Sequence, residues 1–122
     1  MIFTASSDGQ FILKGREVQS AIGRSGMIAA ADKREGDGAS PIGIWPIRRF
    51  VYRAGRLSLP QTLLPIAATQ AQDGWCDGAD DPLYNLPVTL PYPASTEQMW
   101  REDHVYDLVG ILGHNDDPPA AG

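Results

Sequence analysis

Short apolar runs, broken by glycines and polar pairs, set the pattern of this chain. Three of them open it, at residues 1–5, 10–14 and 17–23, separated by Ser7-Asp8-Gly9 and by Gly15-Arg16. None is long enough for a helical stripe. Asp-Gly between two such runs is a strong hairpin signal, because a type I′ turn needs positive φ at both central residues. The spacing therefore predicts an antiparallel meander. Residues 32–41, Asp-Lys-Arg-Glu-Gly-Asp-Gly-Ala-Ser-Pro, are charged and glycine-punctuated, and read as an exposed loop. From 42 to 52 the chain alternates loosely, with Ile42, Ile44 and Phe50 on one face and Trp45, Ile47 and Val51 on the other. This predicts a strand that Pro46 confines to an edge or a bulge.

Residues 63–69 read as another short strand, and residues 73–85 as a long loop with two aromatic anchors, since no period persists there. The stretch 87–93 holds three prolines and is excluded from the centre of a sheet. Residues 95–100 predict a short helix, with Ser95 as N-cap and Gln98 three positions on, as in a capping box. Residues 105–112 predict a strand, and 113–122 a polar, proline-rich exit. The expected class is mainly β, with one or two short helices.

Composition narrows the options. At 122 residues, one domain is expected over 1–122. With 13 glycines and 10 prolines, turns should be many and long helices few. No apolar stretch reaches the ~18 residues of a membrane-spanning helix, so no membrane span is expected. The first eight residues lack a basic segment followed by an apolar core, so no secretory leader is read there. A net charge of −5 argues against nucleic acid as a partner. The charge is uneven: residues 1–60 carry nine basic and five acidic side chains, residues 61–122 one basic (Arg101) and ten acidic. Either the halves complement each other's field or the acidic half meets a basic partner.

Candidate chemistry is sparse. Cys76 is the single thiol, and the nearby Asp73, Asp77, Asp80 and Asp81 oppose a thiolate, which favours a structural role beside Trp75. A metal site from Cys76, His104 and His114 lacks any paired ligand spacing, so no metal or cofactor is expected. Asp116-Asp117, followed by Pro118-Pro119, read as solvated turn residues. Lys33-Arg34 with Gly36 and Gly38 has the parts of an anion loop without the order of a phosphate-binding one, and Glu35 and Asp37 cancel its charge. Trp75, Tyr84 and Tyr92 are candidates to line a glycan or peptide groove.

Taken together, these pieces resemble one family. Ala21-Ile22-Gly23-Arg24-Ser25-Gly26, then the run from Lys33 through Gly36-Asp37-Gly38 to Ser40-Pro41-Ile42-Gly43, is similar to the front half of a YkuD-type L,D-transpeptidase catalytic domain. Gly74-Trp75-Cys76-Asp77, Tyr84-Asn85 and the stretch from Tyr106 to Gly113 leading to Asn115 match the same pattern. The resemblance implies a curved, mixed β-sheet, expected to be incomplete here, with short helices at its margins. It also implies a cysteine acyltransferase that attacks tetrapeptide stems of peptidoglycan and passes the acyl group to an amine of a second stem.

The family's nucleophile lies in a Ser-x-Gly-Cys segment after a His-bearing strand, and neither pattern is matched here. Cys76 is followed by Asp77-Gly78, and neither His104 nor His114 sits in the required context. The resemblance places that catalytic motif after residue 122, so no catalytic residue is assigned and the chain alone is expected to be inactive. Substrate-binding candidates are Asp37, Trp75, Tyr84, Asn85, His114 and Asn115. Implied partners are peptidoglycan stem peptides, together with a complementary C-terminal segment or a second copy of the chain joined through an unpaired edge strand. The implied compartment is the cell envelope, while the absence of a leader pattern leaves the cytoplasm open. The alternative is a standalone β-rich module that holds a glycan or peptide with its 75–85 loop.

Overall fold

A computed structural model describes residues 1–121 and divides the chain into two compact units, Met1–Ile44 and Trp45–Ala121. The protein is mainly β, built as several small sheets.

In Met1–Ile44, strands β1 (Phe3–Ala5), β2 (Gln10–Leu13) and β3 (Arg16–Gln19) form the expected antiparallel meander. The turn chemistry differs from expectation. At the first hairpin only Gly9 has positive φ, 82°, and its N–H bonds the Ser6 carbonyl at 2.9 Å. That is a three-residue loop ending in a left-handed glycine, a conformation open to Ser7-Asp8-Gly9 because only its last residue needs to be glycine. The two-residue turn falls at Lys14-Gly15, with φ of 48° and 74°.

Strand β4 (Met27–Ala29) runs parallel to β5 (Ser40–Ile42), and the connection holds a 3-10 turn, Ala30–Asp32. Gly23 packs against this connection, where a Cβ would stand 2.3 Å from the Gly38 carbonyl oxygen.

The unit Trp45–Ala121 contains two three-stranded sheets. In one, β6 (Ile47–Tyr52) is flanked by the parallel β7 (Ile66–Ala68) and the antiparallel β11 (Leu108–Leu112). In the other, β8 (Asp73–Cys76) is central, with β9 (Pro87–Thr89) and β10 (Thr96–Gln98) antiparallel on either side. Pro46 divides the expected 42–52 strand, so that β5 ends before it and β6 begins after it.

Two expectations are corrected here. Residues 73–76 are a central strand, because β9 and β10 supply hydrogen bonds on both edges where the local sequence has little β propensity. The expected helix at 95–100 is instead β10, with Thr96 opposite Cys76. Six residues behind Pro93 are too few to sustain a helix unaided, and pairing to β8 outweighs the capping signal. Few side chains are buried: among the described residues of Trp45–Ala121, Cys76 is fully withdrawn from water, and Met99 and Thr69 nearly so.

Candidate functional site

Strand β8 directs Trp75 to one face and Gly74 and Cys76 to the other. The Gly74 side is tight, since a Cβ there would meet Leu90 at 2.8 Å. Cys76 is 0% exposed, with its backbone N–H on the Leu86 carbonyl (2.9 Å) and its carbonyl accepting from Asn85 N–H (2.8 Å). Its thiol lies towards the Asp81 carboxylate and is the smallest of the influences that lower that carboxyl's pKa. A thiol closed to solvent and facing an anion is not an available nucleophile.

Asp81 closes the 77–86 loop, with Oδ1 accepting from the Leu83 N–H (2.8 Å) and the Tyr92 hydroxyl (2.9 Å). The Leu83 N–H is the chief reason its carboxyl sits below the usual range, with Tyr92 and the Cys76 thiol adding to it. The same bond to Asp81 pushes the Tyr92 phenol up.

The loop ends on Asn85, held in a left-handed conformation at φ 58°. Trp75 Nε1 donates to Asn85 Oδ1 at 3.1 Å, and Asn85 Nδ2 donates to the Asn115 carbonyl at 2.7 Å. Asn115 is left-handed too, at φ 53°, and its carboxamide makes a two-way clasp on Ala120: Nδ2 to the carbonyl at 2.6 Å, Oδ1 from the N–H at 2.8 Å. Asparagine suits both positions because its short amide tolerates positive φ and bonds nearby backbone. His114 packs edge-on against Trp45, ring centroids 4.5 Å apart at 62°. The Trp45 Nε1 is buried there without a hydrogen-bond partner among the described residues. Beyond it, Arg48 Nε bonds Asp116 at 2.8 Å.

Of the six sequence candidates, Trp75, Asn85 and Asn115 thus join in one hydrogen-bonded chain, with His114 next to Asn115. Tyr84 lies in the same loop, its N–H on the Asp81 carbonyl at 3.0 Å. Asp37 belongs to Met1–Ile44 and organises the 33–41 turn there. Its carboxylate takes Lys33 Nζ (2.7 Å), Arg34 N–H (2.8 Å) and Ala39 N–H (2.8 Å). Those bonds, led by the Arg34 N–H, lower its pKa to about 2. Each carboxamide of the chain keeps a second N–H and a lone pair to offer. Such a frame can bind amide groups of a peptide. Among the described residues it contains no nucleophile and base in contact, and no three His, Cys, Asp or Glu side chains gather as a metal site.

No protein-family model, curated protein or solved structure matches this chain.

One cluster was not singled out from the sequence. Arg56 bonds Asp107 Oδ1 (2.9 Å) and the carbonyls of Asp103 (2.7 Å) and Glu102 (2.9 Å), while His104 Nδ1 lies 2.7 Å from Asp107 Oδ2. His104 and then Arg56 keep the Asp107 carboxyl below its ordinary range. Arg101 grips Asp103 and lowers it to about 2. Arg53 stacks 3.2 Å from the Trp100 ring centroid. Burial, then the bond it donates to Glu97, pushes the Tyr106 phenol up to about 12. The signal was His-x-x-Asp beside alternating charges, whose arginine partners lie about fifty positions away. Only the strand pairing of β6 with β11 brings them close.

Proposed function

We propose that this chain is the scaffold and peptide-binding wall of a peptidoglycan L,D-transpeptidase-type domain, acting in the cell envelope and holding no nucleophile of its own. The observation that carries the reading is the Trp75–Asn85–Asn115 chain of hydrogen bonds. It links residues ten and thirty positions apart, and each belongs to a different stretch of the resemblance. Independent stretches drawn into one frame are what a built recognition surface requires. The enclosed Cys76 agrees with this division of labour, in which the acyl-transferring thiol is not the one in this chain.

The geometry also supports the proposed partner. Strand β11, Leu-Val-Gly-Ile-Leu, forms one edge of its sheet and carries no charge and no proline to discourage pairing. A strand added there, from a complementary segment bearing the nucleophile or from a second copy, would complete the sheet.

The test is a titration of a purified tetrapeptide muropeptide into the chain, followed by tryptophan fluorescence. A saturable change, weakened in Asn85→Ala, is expected, with no acyl transfer by the chain alone. A flat response up to millimolar peptide would contradict the reading. The second reading, a standalone glycan or peptide module, rests on the half-exposed Trp75 beside the Asp81-braced loop. It predicts that stem-free glycan strands bind as well as muropeptides.

A further inference from the structure

Tyr92 lies outside the Trp75–Asn85–Asn115 frame, on a groove of its own. In the β8 sheet, Gly74 stands opposite Val88 on one side and Gln98 on the other, so these three share a face. Trp75 and its opposite number Glu97 take the other face. The Leu90 N–H bonds the Gln72 carbonyl at 2.7 Å, which carries the ladder one step past the strand ends. By alternation Gln72 and Leu90 join the Gly74 face. Leu90 fills the space over Gly74, where a Cβ would meet it at 2.8 Å.

An open groove of about 560 Å³ is lined by Ala71, Gln72, Leu90, Pro91, Tyr92 and Gln98. The Tyr92 hydroxyl is engaged by Asp81 at 2.9 Å, which fixes the ring at the groove wall. Gln72 and Gln98 are exposed, and their carboxamides make no hydrogen bond among the described residues. Each therefore keeps two N–H donors and an acceptor. None of the lining residues is charged, although residues 61–122 carry ten acidic side chains.

These features select a ligand. A charged one would give up water without meeting a counter-charge. A wholly apolar one would leave both carboxamides unused. A neutral ring with a C–H face and hydroxyls along its rim suits both parts of the lining.

We propose that the groove binds a neutral saccharide, one pyranose resting on Pro91 and Tyr92 while the Gln72 and Gln98 carboxamides bond its hydroxyls. Trp75 lies on the other face of the sheet, so the site is separate from the peptide frame and does not rest on it.

The experiment adds cellobiose to the full chain and follows backbone amides and glutamine side-chain NH2 signals by NMR. Gln72→Ala and Gln98→Ala assign the two carboxamides. Both carboxamide signals and the Tyr92 amide should move saturably at millimolar sugar. Sorbitol, which has the hydroxyls without the ring, should move them far less. Binding should weaken about fivefold in either glutamine variant and stay unchanged in Asn85→Ala. Equal response to sorbitol, indifference to both glutamine variants, or shifts gathered at Trp75 and Asn85 overturn the site. A parallel titration with N,N′-diacetylchitobiose separates plain from acetamido sugars: binding of either at the groove upholds the site, and binding of neither overturns it. Saccharide binding here without tetrapeptide binding upholds the groove and overturns the wall-peptide reading. Tetrapeptide binding without saccharide binding does the reverse.

Discussion

Two asparagines carry more of the candidate site than any charged residue does. Asn115 combines a left-handed backbone with a reciprocal clasp on Ala120, so its replacements separate the two contributions. Asn115→Ala loses the side-chain bonds and keeps an unfavourable φ, and should cost about 2 kcal/mol in urea unfolding. Asn115→Gly relieves the backbone and should cost about half that. Equal losses would mean that strain plays no part. Cys76 offers a second test at this scale. Native labelling by a thiol reagent should be far slower than for a free thiol and should accelerate only with unfolding, because the sulfur has no exposure. Fast native labelling would return Cys76 to the list of reactive groups.

At the scale of elements, the 21–43 segment shows how a loop is made rigid. Gly23→Ala sets a methyl against the Gly38 carbonyl and the Ala39 backbone, atoms that cannot yield as a flexible side chain would. Loss of the β4–β5 pairing is expected, seen as deprotection of amides 27–29 in hydrogen exchange. Asp37 adds a pH dependence. Its pKa falls on folding from 3.8 to about 2, as does that of Asp103. A carboxyl lowered in this way stabilises the folded chain above its unfolded value and loses that contribution as pH falls through the folded one. Acid unfolding should therefore set in between pH 3.8 and about 2, and Asp37→Asn should flatten the part that belongs to the 33–41 turn. The meander, the 33–39 part of the loop expected at 32–41 and the edge position of 87–89 were legible because glycine and proline act locally, whereas Ser40 and Pro41 joined β5 through pairing with β4. The helix expected at 95–100 and the loop expected at 73–76 were not, because both are decided by pairing partners twelve to twenty-four positions away. The site behaved similarly. Trp75, Asn85 and Asn115 could be singled out one at a time, but their hydrogen bonds to each other carried no local signature.

For the molecule as a whole, few residues are fully buried while many large apolar ones, among them Ile44, Leu59 and Leu63, stay exposed. Apolar surface left in water on that scale, together with an uncharged strand at a sheet edge, favours association. Charge placed on the edge is the corresponding test: Val109→Lys should shift sedimentation towards the monomer, and a wild-type chain that is monomeric across a wide concentration range would remove the edge from the account. The claim on which the functional reading depends is that the Trp75–Asn85–Asn115 frame recognises a wall peptide. Calorimetric titration of a tetrapeptide stem into the chain and into Asn85→Ala tests it most directly. The account predicts measurable, saturable binding to the first and at least severalfold weaker binding to the second; no heat from either, or equal binding by both, would contradict it.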